Sequence, residues 1–375
     1  MAYFEIIGLP VRAAADHFGP TVGLTLEQGR GLSLVADDEE FPRAVAGALL
    51  GTGGFSGEII LNGRRIDPIR AADRPVKALG QTGGIVPHRT VRENLESAVQ
   101  RRGASEGEAA MLVERELADG GLAGLDEVPA GSLHSAGRTI LAASRILLAG
   151  CDLLLITRLP VPGSPADRSK KIWGPGLELD TLLDLKGVLR RLRATWVNFL
   201  TDPACVHILS DRLAVFSAGR LVQEGPLREC INAPATRLVA DFLAFPRMNY
   251  RTARVERDGP FLMLRSGRYG FRVSEYIKRS IASREGEDVV VGLRPEDLGL
   301  RPYETGDPTV MNLARVLRVD AIPGALAVVV DLEGEEWVGL TEPGRPFFTG
   351  QLVELRPDPD KLHLFHPLQG TSLLD

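Results

Sequence analysis

Apolar residues in the first part of the chain come in short unbroken runs, separated by longer stretches with helical spacing. Residues 32–35 (Leu-Ser-Leu-Val), 58–61 (Glu-Ile-Ile-Leu), 152–156 (Asp-Leu-Leu-Leu-Ile) and 212–216 (Arg-Leu-Ala-Val-Phe) are predicted strands. The run at 152–156 has no alternation, which predicts a central strand covered on both faces. Residues 43–50, 106–118, 138–148 and 182–193 are predicted helices. This alternation of strand and helix predicts an α/β domain over residues 1–240. The stretch 161–180 is rich in Pro and Gly and is expected to be irregular. After residue 245 the pattern changes. Short alternating runs at 261–265, 289–293, 327–332 and 352–355 predict a small β-barrel or sandwich over residues 241–375. The boundary is expected near 240–250, around Ala244-Phe245-Pro246.

Composition changes this picture little. A chain of 375 residues, 44% hydrophobic and 25% charged, has material for two packed cores. A formal net charge of −5 and the lack of any long Lys/Arg run argue against nucleic acid as a partner. Cys151, Cys205 and Cys230 are scattered, so neither a disulfide framework nor a zinc site is expected. No leader sequence opens the chain, and no apolar run approaches the roughly 18 residues of a membrane span. The expectation is a cytoplasmic protein whose membrane role, if any, is peripheral.

Candidate chemistry concentrates where the 32–35 strand meets the 43–50 helix. A nucleotide-binding protein places a Gly-rich loop ending in Gly-Lys-Ser/Thr at such a junction. Backbone N–H groups and a helix N-terminus then converge on phosphate oxygens. Here residues 36–44 are Ala36, Asp37, Asp38, Glu39, Glu40, Phe41, Pro42, Arg43 and Ala44. There is no Gly and no Lys, and Pro42 removes a donor. One carboxylate about 4 Å from a phosphate costs about 4 kcal/mol at a surface-like dielectric, roughly three decades of affinity. Two uses of the acids stay open. They cap and stabilise the start of their own helix, or they hold Mg²⁺ or a basic partner.

The stretch Gln81-Thr82-Gly83-Gly84-Ile85-Val86-Pro87-His88-Arg89-Thr90-Val91-Arg92-Glu93-Asn94-Leu95 resembles the Q-loop region of the ATPase subunits of ABC importers, of the carbohydrate and glycerol-3-phosphate type. Ser56-Gly57-Glu58-Ile59 with Asn62-Gly63, and residues 218–225, resemble two hairpins of that family. Residues 291–297 (Val-Gly-Leu-Arg-Pro-Glu-Asp) and 363–365 (His-Leu-Phe) resemble its appended regulatory domain. The resemblance covers nearly the whole chain. It implies an α/β P-loop NTPase-like ABC cassette, followed by a small all-β OB-like (TOBE-type) C-terminal domain.

The same resemblance implies where the catalytic parts belong, and there the residues differ. The phosphate loop maps to 36–44, with Pro42 and Arg43 in place of Lys and Ser/Thr. The signature Leu-Ser-Gly-Gly-Gln maps to Leu133-His134-Ser135-Ala136-Gly137. The Asp-Glu pair after the Walker B strand maps to Thr157 and Arg158, and the loop beyond it to Val161-Pro162-Gly163-Ser164. The switch His maps to Thr201. Thr supplies no charge for Mg²⁺, and Arg is no base at neutral pH. Gln81 and the aromatic Phe18 keep the family's pattern as vestigial nucleotide contacts. The family binds ATP and Mg²⁺; neither is a firm expectation here, and whether the chain is an enzyme stays open.

The parts that remain readable are those the family uses for docking: Gln81, Pro87, His88, Val91, Glu93 and Asn94 towards an integral-membrane permease, and the C-terminal domain towards a homologous ATPase subunit. The resemblance therefore implies a catalytically degenerate importer subunit, peripheral on the cytoplasmic face of the inner membrane. Alternatives are a stand-alone regulatory protein and an active ATPase with atypical motifs. Three further patterns weigh less. His363 and His366 have metal-compatible spacing without nearby Cys, His207 lies in an apolar run and is expected buried or at an edge, and Gly51, Gly53 and Gly54 form a Gly-rich turn without Lys.

Overall fold

The computed structural model describes residues 3–9, 22–38, 40–53, 55, 57–80, 84–157, 179–199, 202–244, 246–303, 312–322, 324–344 and 347–374. The chain divides into two compact units, residues 1–232 and 233–375. A boundary at 240 would cut the helix Arg237–Leu243, which belongs to the second unit. Of the stretch 161–180, only the last two residues are described, and they lie in a helix.

The first unit runs β1 (Phe4–Leu9), β2 (Val22–Leu26), β3 (Gly31–Ala36), α1 (Glu40–Leu50), β4 (Glu58–Leu61), β5 (Arg64–Arg65), β6 (Val76–Leu79), α2 (Val91–Arg101), α3 (Glu106–Asp119) and α4 (Ser135–Leu148). It continues with β7 (Leu153–Ile156), α5 (Leu179–Arg191), β8 (Thr195–Asn198), α6 (Pro203–Leu209), β9 (Arg212–Ser217), β10 (Arg220–Pro226) and α7 (Leu227–Asn232). The main sheet has the order β10-β9-β3-β8-β7-β6, parallel except for β10 at its edge. A smaller antiparallel sheet has the order β2-β1-β4-β5.

The unbroken apolar run of β7 follows from its place in the main sheet. Leu153 and Leu155 pack with α1 and the small sheet, while Leu154 and Ile156 pack with α2, α3, α4 and α5. Successive side chains of a strand point to opposite faces, so a strand buried twice has no room for a polar position. Gly31 opens β3 against Trp196 of β8; a Cβ there would stand 2.3 Å from the buried indole, which donates its N–H to Leu209 O at 2.7 Å. Within the helical layer, buried Glu116 of α3 accepts from Ser144 of α4 at 2.5 Å and from Arg191 of α5 at 2.8 Å.

The second unit begins with α8 (Arg237–Leu243) and then β11 (Asn249–Asp258), β12 (Phe261–Ser266), β13 (Tyr269–Arg272), α9 (Glu275–Ile281), β14 (Asp288–Leu293) and β15 (Leu300–Pro302). It ends with β16 (Leu313–Ile322), β17 (Ala325–Leu332), β18 (Glu335–Thr341), β19 (Leu352–Leu355) and β20 (His363–Phe365). Two antiparallel sheets, β13-β12-β11-β14-β20 and β15-β19-β16-β17-β18, share one apolar core in which Trp337 stacks on Phe271 at 5.9 Å. The all-β character expected beyond residue 245 holds, with α9 as an insertion in it.

Candidate functional site

The junction of β3 and α1 is built from its own acids. Asp38 Oδ1 accepts the backbone N–H of Phe41 at 2.8 Å, so a side chain takes a donor at the start of α1. Asp37 turns the other way: its carboxylate accepts Ser217 Oγ–H at 2.5 Å and the N–H of Ala218 at 3.2 Å, in the turn between β9 and β10. The helix starts at Glu40, earlier than the residue 43 expected, and Pro42 fits in its first turn, where no intrahelical donor is needed. Phe41 lies against Phe216 with ring centroids 4.3 Å apart. Aromatic contact and carboxylates thus occupy the place where a phosphate loop would leave open N–H groups.

The far end of α1 is closed just as firmly. Arg74, buried at 7% exposure, donates to Ala48 O at 2.5 Å, Leu49 O at 3.1 Å, Asp67 O at 2.6 Å and Ile69 O at 2.9 Å. Burial pushes this guanidinium below its ordinary value. In the Gly-rich turn that follows, of which Gly54 lies outside the described residues, the N–H groups of Thr52 and Gly53 both go to Gly47 O, at 2.9 and 3.1 Å. An open depression of about 400 Å³ runs beside α1, lined by Glu40, Arg43, Ala44, Gly47, Thr52 and Gly53. Its lining holds one acid and one base and no Lys.

In the stretch 133–137, where the signature was expected, the second residue has a structural task. His134 is the N-cap of α4, its Nδ1 accepting the N–H of Gly137 at 3.0 Å. Ser135 is half-buried, and its backbone oxygen accepts from Thr139 at 3.0 Å. Thr157 stands half-buried just past β7. Phe18, Glu39, Gln81, Arg158, residues 161–164 and Thr201 lie outside the described residues. Asp202 caps α6 by accepting from the N–H groups of Ala204 and Cys205.

The loop before α2 divides the expected docking residues into two kinds. Pro87 and His88 are exposed. Glu93 forms a capping box with Thr90: Thr90 N–H donates to Glu93 Oε2 at 2.8 Å, and Glu93 N–H donates to Thr90 Oγ1 at 3.1 Å. Val91 and Asn94 are wholly buried, so they shape the loop rather than face a partner. Asn94 Oδ1 accepts from Val86 N–H at 2.9 Å, and its amide donates to Val86 O, Arg89 O and Thr90 O at 3.0, 3.2 and 2.8 Å. Beneath it lies Arg145, 3% exposed, which also binds Asn94.

Residues the sequence left unmarked therefore hold the site: Arg74, Arg145 and the Asp37 partner Ser217. Arg145 carried the one usable signal, a guanidinium among Ile140, Leu141, Ala142, Ala143, Leu147 and Leu148 on a predicted apolar helix. His207 is exposed on α6 rather than buried, because helical spacing turns it away from its buried neighbours Cys205, Val206 and Leu209. His363 is partly buried, and burial with the nearby Arg294 and Lys361 pushes its imidazole down to about 4. His366 Nδ1 accepts from the N–H groups of Leu368 and Gln369, both at 3.2 Å.

No protein-family model matches the chain. Among curated proteins it is similar to "sn-glycerol-3-phosphate import ATP-binding protein UgpC 3" of Rhizobium etli, 29% identical over 332 residues, covering 88% of this chain and 86% of that protein. It is also similar to "Sulfoquinovosyl glycerol transport ATP-binding protein SmoE" of Agrobacterium fabrum, 25% identical over 331 residues, covering 88% and 87%. Among solved structures, an ATP-binding cassette of an ABC transporter in its ADP conformation aligns with a TM-score of 0.47 at 15% identity, covering 62% of this chain and 96% of that one.

Proposed function

We propose, for a chain that is a divergent relative of the ATP-binding subunits of glycerol- and carbohydrate-type ABC importers, that it serves such an importer as a subunit that docks and does not hydrolyse ATP. It would sit on the permease at the cytoplasmic face of the membrane and pair with an active ATPase subunit. No helix among the described residues is long and apolar enough to cross a membrane, so attachment would run through the permease. The observation that carries the reading is at the head of α1, where Asp38 takes the Phe41 N–H and Asp37 is tied to Ser217 and Ala218. The Phe41 N–H, a donor that would meet phosphate, is used internally, and the carboxylates repel what remains. Thr157, in place of a metal-holding acid, supports the same reading.

A second reading, a regulatory protein outside transport, is favoured by His134 at the signature position. In a paired cassette that element serves the partner's nucleotide, and here its side chain is committed to capping α4. Two measurements decide. Calorimetric titration with Mg-ATP and with ADP is expected to show no binding at millimolar nucleotide; micromolar binding overturns the non-hydrolysing reading. Co-purification with permease or a second ATPase supports a role in transport, whereas a stable solitary monomer supports the regulatory alternative.

A further inference from the structure

Lys186 of α5 is half-buried, and its ammonium lies over the face of buried Trp196, 5.0 Å from the ring centroid. One turn on, Arg190 lies over the same indole at 5.5 Å. Arg30 borders it as well: Trp196 N–H donates to Arg30 O at 3.2 Å, and the next residue, Gly31, packs against the ring. Three cations are thus gathered beside one ring, with Asp211 as their nearest common carboxylate, and Asp211 is already in use. Its Oδ2 accepts Gly31 N–H at 2.7 Å, and its Oδ1 accepts from Arg190 and stands 3.8 Å from Arg30. Among the described residues Lys186 makes neither a hydrogen bond nor an ion pair. Burial pushes its ammonium below its ordinary value; Asp211 opposes the shift, and Arg190 and Arg30 add to it. Arg30 and Asp211 also line an open depression of about 490 Å³. The other charges there are paired, Glu27 with Arg30 at 3.8 Å and Arg212 with Glu224 at 2.6 Å.

A half-buried lysine with no counter-ion of its own, set among guanidiniums, holds more free amine at neutral pH than a lysine in water, and free amine is the nucleophile. The same guanidiniums attract an anionic reagent. We infer that Lys186 is a site of acylation by acyl phosphates, with Arg30 and Arg190 drawing the phosphate end towards the amine. Arg190 spends donors on Gly29 O and Asp211, so the half-exposed Arg30 has the freer fork. In the step itself the amine lone pair attacks the acyl carbon and an N–C bond forms. The bond from that carbon to the phosphate oxygen breaks, phosphate leaves with the electron pair, and the surplus proton on nitrogen passes to water. The product is a neutral amide, so the site loses one positive charge and the cation over Trp196. Nothing in this chemistry depends on the transport reading, and a failed nucleotide titration leaves it standing.

The chain has six lysines, Lys77, Lys170, Lys171, Lys186, Lys278 and Lys361, so acylation at each is read separately by peptide mass spectrometry. The folded full chain is treated at neutral pH with acetyl phosphate and, in parallel, with an uncharged acetyl ester. With acetyl phosphate Lys186 is expected to be acetylated first of the six, and its rate to level off at a lower pH than theirs. Its rate relative to exposed Lys361 is expected to be higher with acetyl phosphate than with the ester. Arg30→Ala is expected to slow Lys186 about two- to fivefold with acetyl phosphate, and less with the ester. Should Arg30→Ala fail to fold, the two reagents compared on the unaltered chain carry the test. Acetylation of Lys186 no sooner than of the other lysines, an equal ratio to Lys361 with both reagents, or an unchanged rate in folded Arg30→Ala overturns the inference.

Discussion

Helices α1 and α2 both start at a capped surface turn, yet the two caps do different things. At α1 one acid, Asp38, takes the Phe41 N–H, while its neighbour Asp37 reaches across to Ser217 and Ala218 in the β9–β10 turn. At α2 the capping box faces solvent, and the loop before it is held from below by buried Asn94. The first arrangement ties a loop to a neighbouring turn; the second stiffens an exposed loop. Similar cap chemistry therefore says little about function. What differs is whether the loop's own side chains or a buried amide satisfy the backbone around it.

The contrast is broken most strongly at Asn94. Asn94→Leu removes four hydrogen bonds to residues 86–90 and strips buried Arg145 of a side-chain acceptor, so urea unfolding should show a loss of about 3–5 kcal/mol. Next comes the far end of α1, where Arg74→Met removes four hydrogen bonds to backbone carbonyls, of which Ala48 O keeps the Gly51 N–H. About 2–3 kcal/mol is expected there by the same measurement. The two caps themselves should be near equals: Asp38→Ala and Thr90→Ala should each cost about 1 kcal/mol. Asp38→Ala should bring no nucleotide binding by calorimetry, since Asp37 and Pro42 remain.

The faintest effect sharpens the comparison without touching either loop. Burial pushes the Cys151 and Cys205 thiols up to about 12 and the Cys230 thiol to about 11, so alkylation at pH 8 should be very slow in the native protein. Cys205 shares a core with Leu95 and Val99 of α2. Its alkylation, followed by mass spectrometry, should quicken in Asn94→Leu and stay at the wild-type rate in Asp38→Ala. Equal rates in the two variants would mean that Asn94 does no more for the core than a surface cap.

Much of the architecture was legible because burial on two faces leaves a plain mark. The run at 152–156 predicts a central strand, and β7 is one, between β6 and β8. The junction at 36–44 was legible as the place to look, since a strand ending and a helix beginning can be read locally. What each acid does there was not. Asp38 acts three residues away, but Asp37 acts 180 residues away, and nothing near Asp37 names Ser217. Arg74 was invisible for the same reason: its acceptors lie on α1 and in the 67–69 turn, and a guanidinium's reach leaves no periodic signal. Val91 and Asn94 were readable as part of a motif but not as buried, because a capping box fixes where a helix starts without fixing which of its sides faces the core.

The tie between Asp37 and Ser217 also bears on how the chain is made. Both neighbours of β3 in the sheet, β8 and β9, come far downstream, and the Asp37 contact spans 180 residues. At ribosomal speeds of about 5–20 residues per second, the acidic turn waits roughly 10–35 s for its partner to be synthesised. During that interval β3 is a sticky apolar strand with nothing beside it, and the four consecutive carboxylates at its end are the chain's nearest protection against premature strand pairing. The acids that tie this turn in the folded protein also guard the nascent strand.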